Sequence, residues 1–79
     1  MIKVLFFGPV AERIGKSALA MDYRSNMRIQ DLSDELAAQF PQAFELVCFT
    51  ALNGEHILDM STTLPDKSEV AFMAKFSGG

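Results

Sequence analysis

The chain contains few of the side chains that commonly perform chemistry. It has one cysteine, Cys48, and one histidine, His56. A catalytic zinc site needs three protein ligands, so we predict no metal site, and we place His56 at the surface or in an interface. Cys48 opens an apolar segment and is predicted to be a small buried residue, because a nucleophilic thiol needs a base beside it. Gly8, Gly15 and Gly54 are isolated turn glycines and form no phosphate-binding loop.

The C-terminal end offers a different kind of chemistry. The sequence finishes with Phe76-Ser77-Gly78-Gly79, directly after a strand-like segment. Four extended residues span roughly 14 Å, and glycine, which lacks a Cβ atom, can enter a channel too narrow for other residues. The ionised α-carboxylate of Gly79 is a poor electrophile, so a separate ATP-using enzyme would have to convert it to an acyl-adenylate. The alternative is a frayed tail without function.

Length and composition exclude several classes of protein. The chain has 79 residues, of which 49% are hydrophobic and 22% charged. This fits one small folded domain and leaves no room for an enzyme with a large substrate pocket of its own. The longest apolar stretch, residues 4–11, is shorter than the roughly 20 residues of a membrane helix. A net charge of −3 argues against a nucleic-acid partner. No signal peptide is visible, and a single cysteine fits a reducing, cytoplasmic setting.

The charges are unevenly distributed along the chain. Residues 29–66 contain no Lys or Arg, but they contain the acidic residues Asp31, Asp34, Glu35, Glu45, Glu55, Asp59 and Asp66. Two interpretations stay open. This acidic segment is either ordinary solvated surface or a flank that steers a basic protein partner toward the chain.

The order of the predicted elements indicates the fold. Strands are predicted at residues 2–7, 17–24, 48–52, 55–58 and 68–76, with a helical turn at 10–14 and a main helix at 29–40. Pro41 ends the helix, residues 42–47 form a short irregular turn of helix, and Asn53-Gly54 is a strong hairpin signal. Two hairpin-like halves around one helix predict an α+β fold: a ubiquitin-like β-grasp, in which one main helix packs on one face of a mixed sheet. We expect this domain to span residues 1–76 and a flexible tail to span 77–79.

Strand alternation then divides the side chains between the two faces of the sheet. Ile2, Val4, Phe6, Val70 and Phe72 are predicted to face the helix, and Lys3, Leu5, Phe7, Ala71, Met73 and Lys75 to face away. Exposed Phe7 and Met73 would form an apolar patch, which usually marks a protein interface, unless loops cover it. Lys75, Phe76 and Ser77 lie at the root of the tail and are included in this predicted partner-binding surface.

At this point the sequence resembles a known family. Residues 1–7 (MIKVLFF), Leu52-Asn53-Gly54, Leu64-Pro65-Asp66, Glu69-Val70-Ala71-Phe72 and the final Gly-Gly are similar to the small subunits of molybdopterin synthase. These are the MoaD-like sulfur carriers of the MoaD/ThiS family, relatives of ubiquitin. The resemblance covers essentially the whole chain. One departure is that Ala74-Lys75-Phe76 stands where many members have Pro-Pro-Val.

The resemblance implies a role for the tail. An E1-like adenylating enzyme (MoeB-like) would use ATP to adenylate Gly79, and a sulfur donor would convert it to a thiocarboxylate, with Gly78 as the spacer. The tail would enter the large subunit (MoaE-like) and give its sulfur to cyclic pyranopterin monophosphate in molybdenum cofactor biosynthesis. The chain would bind no cofactor, have no catalytic site of its own and form a heterotetramer with the large subunit.

Three other functions stay open. The chain could be a sulfur carrier of another pathway, such as a thiamine-type carrier. It could also be a ubiquitin-like modifier that forms isopeptide bonds to lysines, or a plain interaction domain with an inert tail.

Overall fold

The structure, a computed structural model, describes residues 1–75. Its elements are β1 (Ile2–Phe6), α1 (Gly8–Ile14), β2 (Ala18–Met21), α2 (Ile29–Gln39), α3 (Pro41–Phe44), β3 (Val47–Leu52), β4 (Glu55–Ile57) and β5 (Glu69–Ala74). Each predicted element is present, with bounds that differ by a few residues. The predicted boundary between domain and tail, at residues 76 and 77, lies outside the described residues.

The five strands form one mixed sheet in the order β2-β1-β5-β3-β4. β1 and β5 are parallel neighbours, with Val4 opposite Val70 and Phe6 opposite Phe72. The other pairings, β1 with β2, β3 with β4 and β3 with β5, are antiparallel. The first and last strands therefore lie side by side inside the sheet, as the order of elements predicts.

The core lies between the sheet and α2. Its buried apolar residues are Ile2, Val4, Phe6, Val10, Met27, Ile29, Leu32, Leu36, Ala43, Leu64, Val70 and Phe72. On α2, the buried positions step by three and four residues, which places them on one helical face. Phe44 from α3 adds an aromatic contact, with its ring centroid 5.0 Å from that of Phe72. The burial of Ile2, Val4, Phe6, Val70 and Phe72 confirms the predicted assignment of the two sheet faces.

Arg28 occupies the position before α2 where a Ser or Thr cap would be expected. Its backbone N–H donates a hydrogen bond to Asp31 Oδ2 (2.9 Å), and its guanidinium lies 2.8 Å from Asp31 Oδ1. Asp31 thus accepts a hydrogen bond from a backbone N–H in the manner of a capping-box acid. It also places a negative charge in the first turn, where the helix dipole favours one.

The predicted hairpin between β3 and β4 turns at Asn53-Gly54. Their φ angles are 50° and 87°, and such left-handed conformations are tolerated by Asn and Gly. The Asn53 side-chain oxygen accepts a hydrogen bond from the backbone N–H of Glu69 (2.9 Å). The turn is thereby tied to the start of β5.

One prediction about the sheet is wrong. Cys48 was predicted to be buried, but it is exposed. The reason is an irregularity in β3, where Val47 lies opposite Ala74 and Phe49 opposite Met73, so that Cys48 has no partner on β5. Such a bulge disrupts the alternation of a strand. Val47 packs against the core and Cys48 is displaced outward.

Candidate functional site: the open face of the sheet and the root of the tail

The root of the tail lies at the end of β5. This strand runs parallel to β1, so the segment that follows Ala74 leaves the sheet at the same end as Phe7. Lys75 is exposed there. The other residues predicted to act in this region, Phe76, Ser77, Gly78 and Gly79, lie outside the described residues.

Phe7 is exposed because the chain changes structure at this residue. It follows the last residue of β1 and occupies the N-cap position of α1, with φ −127° and ψ 150°. Phe6 points into the core, so Phe7 points to the opposite face, which we call the open face of the sheet. Its exposed fraction is 48%, and Met73 is partly buried. The structure thus places both predicted patch residues on the open face.

Two further residues belong to the same surface and were not included in the predicted site. Phe49 is 36% exposed and lies directly opposite Met73. The His56 ring packs edge-on against Phe49, with 5.3 Å between ring centroids. His56 is exposed, as its predicted surface position requires. Phe7, Met73, Phe49 and His56 together form a mainly apolar patch on the open face.

The sequence alone did not predict that Phe49 and Met73 are cross-strand partners. That pairing belongs to the regular register of β3 against β5, which runs from Leu52 opposite Val70 to Phe49 opposite Met73, before the bulge at Cys48. A strand of regular alternation predicts which face Phe49 occupies. It does not predict which residue of β5 stands opposite, because the register between two strands that are distant in sequence is set by how they pair in the folded sheet.

The acidic segment at residues 29–66 is less uniformly negative than its sequence suggests. Arg24 Nη2 lies 3.0 Å from Glu35 Oε2, and Arg28 Nη2 lies 2.8 Å from Asp31 Oδ1. Both arginines come from outside the segment, so α2 presents mixed charges to solvent. This weakens the interpretation of the segment as a steering flank.

Two carboxylates of this surface accept hydrogen bonds that favour their ionised form. Hydrogen bonds from the Arg28 side chain and backbone lower the pKa of Asp31 to about 2. Hydrogen bonds from the Ser61 hydroxyl and backbone N–H lower the pKa of Asp59. Both groups are solvent-exposed, so these shifts describe local hydrogen bonding and no buried catalytic acid.

Residues 1–75 offer little else that could act directly on a substrate. Within this range no three His, Cys, Asp or Glu side chains are grouped so as to hold a metal ion. No helix among the same residues is long and apolar enough to cross a membrane. What these residues provide is a sheet with one open face and a strand that leads to the C-terminal glycines.

The ThiS family model matches residues 4–79, which is nearly the whole chain and includes both terminal glycines. The chain belongs to the ThiS family. None of the curated proteins compared with it matches.

Solved structures show the same architecture. The chain is similar to small archaeal modifier protein 1 from Haloferax volcanii, with a TM-score of 0.83, 20% identity, and coverage of 99% of this chain and 98% of that one. It is similar to a molybdopterin converting factor subunit 1 from Pyrococcus furiosus, with a TM-score of 0.81, 19% identity, and 92% and 94% coverage.

A third similar structure is a complex of subunits 1 and 2 of the molybdopterin-converting factor from Helicobacter pylori. Its TM-score is 0.73 at 24% identity, with 99% of this ThiS-family chain and 97% of that chain covered. At these identities the structures establish the fold. They confirm the β-grasp prediction, and the family match confirms the resemblance to MoaD/ThiS proteins.

Proposed function

We propose that this ThiS-family protein is the sulfur-carrier subunit of a molybdopterin synthase. The observation that carries the proposal is that the family match extends through Gly79. The fold is consistent with it, because β5 is an inner strand of the sheet and ends at Ala74, four positions before Gly78 in the sequence. A rigid strand gives a short tail a defined starting point and direction.

The proposed chemistry takes place at the Gly79 carboxylate. An E1-like enzyme joins it to AMP from ATP and releases pyrophosphate. A donor of sulfide-level sulfur then displaces AMP and leaves a thiocarboxylate, which is a sulfur nucleophile. Gly78 lets the end of the tail enter the large subunit, where the thiocarboxylate sulfur displaces an oxygen substituent of cyclic pyranopterin monophosphate. Water then cleaves the acyl–sulfur bond, which leaves the sulfur on the pterin and restores the Gly79 carboxylate.

The proposed partner surface is the open face beside the root of the tail. Support comes from the Helicobacter pylori structure, in which a subunit 1 of similar fold is complexed with a subunit 2. Support also comes from the half-exposed Phe7 ring beside the strand that carries Met73. A partner that encloses residues 76–79 must lie against this end of the sheet, so Phe7, Met73 and Lys75 are the proposed contacts.

A ubiquitin-like modifier is the second candidate. The similar structures include small archaeal modifier proteins from Haloferax volcanii and Methanosarcina acetivorans. In that case the adenylated Gly79 would be attacked by a lysine amine and would form an isopeptide bond. A thiamine-type carrier would share the thiocarboxylate but deliver it to another acceptor.

Two measurements separate these candidates. The first is the identity of the protein that co-purifies with the chain, which we expect to be the large subunit of molybdopterin synthase. The second is the intact mass after incubation with ATP, the adenylating enzyme and a sulfur donor. We expect one oxygen to be replaced by sulfur, with the chain truncated after Gly78 as the control.

The other outcomes have defined meanings. Attachment to lysines without a thiocarboxylate would identify a modifier. A thiocarboxylate on a chain that does not bind the large subunit would identify a carrier for another pathway. An unchanged mass would remove the carrier function altogether.

A further inference from the structure

Two alanines lie opposite each other in the middle of the open face. Ala71 on β5 is the cross-strand partner of Ala51 on β3, and both are partly exposed. Leu5 on β1 stands beside Ala71, and His56 on β4 stands beside Ala51. Two small side chains are thus enclosed, across the strands, by two larger ones.

The same alanines are also enclosed along the strands. In one direction, Met73 lies two residues after Ala71 on β5, and Phe49 lies two residues before Ala51 on β3. Met73 and Phe49 are cross-strand partners. Two residues in the other direction are Glu69 and Asn53, which are joined by a 2.9 Å hydrogen bond. Glu69 also approaches Lys3 at 3.9 Å. The arrangement predicts a depression with an alanine floor, apolar walls formed by Leu5 and by the Met73–Phe49 pair, an imidazole wall formed by His56, and a polar rim on the fourth side.

The size of the depression follows from strand geometry. Along β5, Met73 and Glu69 are four residues apart, which corresponds to about 13 Å. Across the sheet, β1, which carries Leu5, and β4, which carries His56, are three strand spacings apart, which corresponds to about 14 Å. Subtracting the side chains of the walls leaves room for one large apolar group. The Phe49–His56 ring contact keeps the wall on that side in place.

We propose that this depression, with Ala51 and Ala71 as its floor, receives one large apolar side chain from the large subunit that takes the tail. This rests on the proposed function. The arrangement of a desolvated apolar pocket with a polar rim is that of interface hot spots, where a few residues carry most of the binding energy. The Lys3–Glu69 pair would face polar groups at the edge of the contact.

The occupant is identified by continuity with the tail. Ala71 precedes Gly79 by eight residues along the chain, a separation of no more than about 29 Å. Met73, which forms one wall, adjoins the surface already proposed for docking. A protein that holds Gly79 in its site and contacts Phe7 and Met73 therefore continues over the alanine floor.

The direct test is to fill the depression. Ala71→Met puts a large side chain on the floor, and we expect it to weaken binding to the large subunit at least tenfold, because the incoming group is excluded. The matched control is Ala20→Met, which makes the same change at an exposed position opposite Lys3 on the edge strand β2. We expect the control to change affinity less than twofold.

A second pair of variants removes a wall instead. Phe49→Ala opens the depression and should weaken binding at least fivefold. Leu58→Ala removes a side chain that is more exposed than Phe49, at 87%, but lies outside the depression, and it should have no effect. Circular dichroism establishes that each variant is folded. If Ala71→Met alone fails to fold, the Phe49→Ala comparison decides.

The outcomes distinguish this inference from the proposed function. A wild-type chain that does not bind the large subunit overturns both. A wild-type chain that binds, with Phe7→Asp impaired but both Ala71→Met and Phe49→Ala unaffected, overturns only the depression. Selective losses for Ala71→Met and Phe49→Ala, relative to their controls, support it.

Discussion

The two faces of the central strands differ in how far their apolar side chains are exposed to solvent. Ile2, Val4, Phe6, Val70 and Phe72, which point toward α2, are at most 1% exposed, whereas Phe7 on the other face is 48% exposed. Both sets come from the same strands, β1 and β5, and alternate residue by residue. Because apolar burial is the main favourable term in folding, the helix-facing set supplies stability. The open-face set is the surface that we propose binds a partner.

The largest effect should come from breaking the helix-facing side. Leu36→Ala removes a fully buried side chain of α2 and should lower the free energy of unfolding by about 2–5 kcal/mol through the cavity it leaves. A domain this small has little more stability than that, so the variant should be largely unfolded. Denaturant unfolding followed by circular dichroism measures this.

The same variant tests whether the helix is purely structural. A Leu36→Ala chain that folds normally but is not adenylated would place α2 in a binding site. That result would contradict the division of tasks between the two faces.

The open face should respond in the opposite way. Phe7→Asp should leave the monomer folded, because the ring is half-exposed and Asp is a favourable residue at the N-cap position of α1. It should weaken binding to the large subunit at least tenfold, about 1.4 kcal/mol, since docking would desolvate an unpaired charge. Circular dichroism of the variant and its affinity for the partner test the two halves of this prediction.

Each half can fail separately. A Phe7→Asp chain that does not fold would show that Phe7 contributes to the core. A folded variant with unchanged affinity would show that the partner docks elsewhere, for example along residues 29–66.

The smallest effect concerns the surface contact between Asp31 and Arg28, which belongs neither to the core nor to the open face. The pKa of Asp31 is lowered to about 2 by its hydrogen bonds with Arg28. A carboxyl whose pKa is lower in the folded state stabilises fully above its unfolded pKa, and it loses that contribution as the pH falls through the folded value. Acid should therefore remove the Asp31 contribution between about pH 4 and 2.

The variant Asp31→Asn isolates this contribution. Its melting temperature should lie slightly below that of the wild type at pH 7, and the difference should shrink toward pH 2. The affinity of this variant for the large subunit should equal that of the wild type. The conversion of Gly79 to a thiocarboxylate should also be unchanged. A difference that grows on acidification would mean that Asp31 is stabilised by something other than its ionised contact with Arg28.

The sequence predicted the regular parts of this molecule and missed the local irregularity. Hydrophobic periodicity was sufficient for α2 and for the faces of β1 and β5, because Ile29, Leu32 and Leu36 repeat at helical spacing. Asn53-Gly54 predicted its turn because few residues accept positive φ. Cys48 was misplaced since a bulge is decided by how β3 fits against β5, which no local pattern records.

The site shows the same division. Phe7 and Met73 were placed on the open face by alternation alone, whereas Phe49 and His56 required the cross-strand register and a contact between strands β3 and β4. The depression above Ala51 and Ala71 has four strands as its walls and floor. Such a feature emerges only when the order of strands in the sheet is known.

The most direct test of the account is molybdopterin formation in a reconstituted system that contains the adenylating enzyme, the sulfur donor, the large subunit and cyclic pyranopterin monophosphate. The chain truncated after Gly78, and the variant Gly78→Val, should produce none. Their free energies of unfolding should differ from that of the wild type by less than about 1 kcal/mol, because we expect the tail to bury little surface. Molybdopterin formed by the chain that lacks Gly79 would contradict the proposal that this residue carries the sulfur.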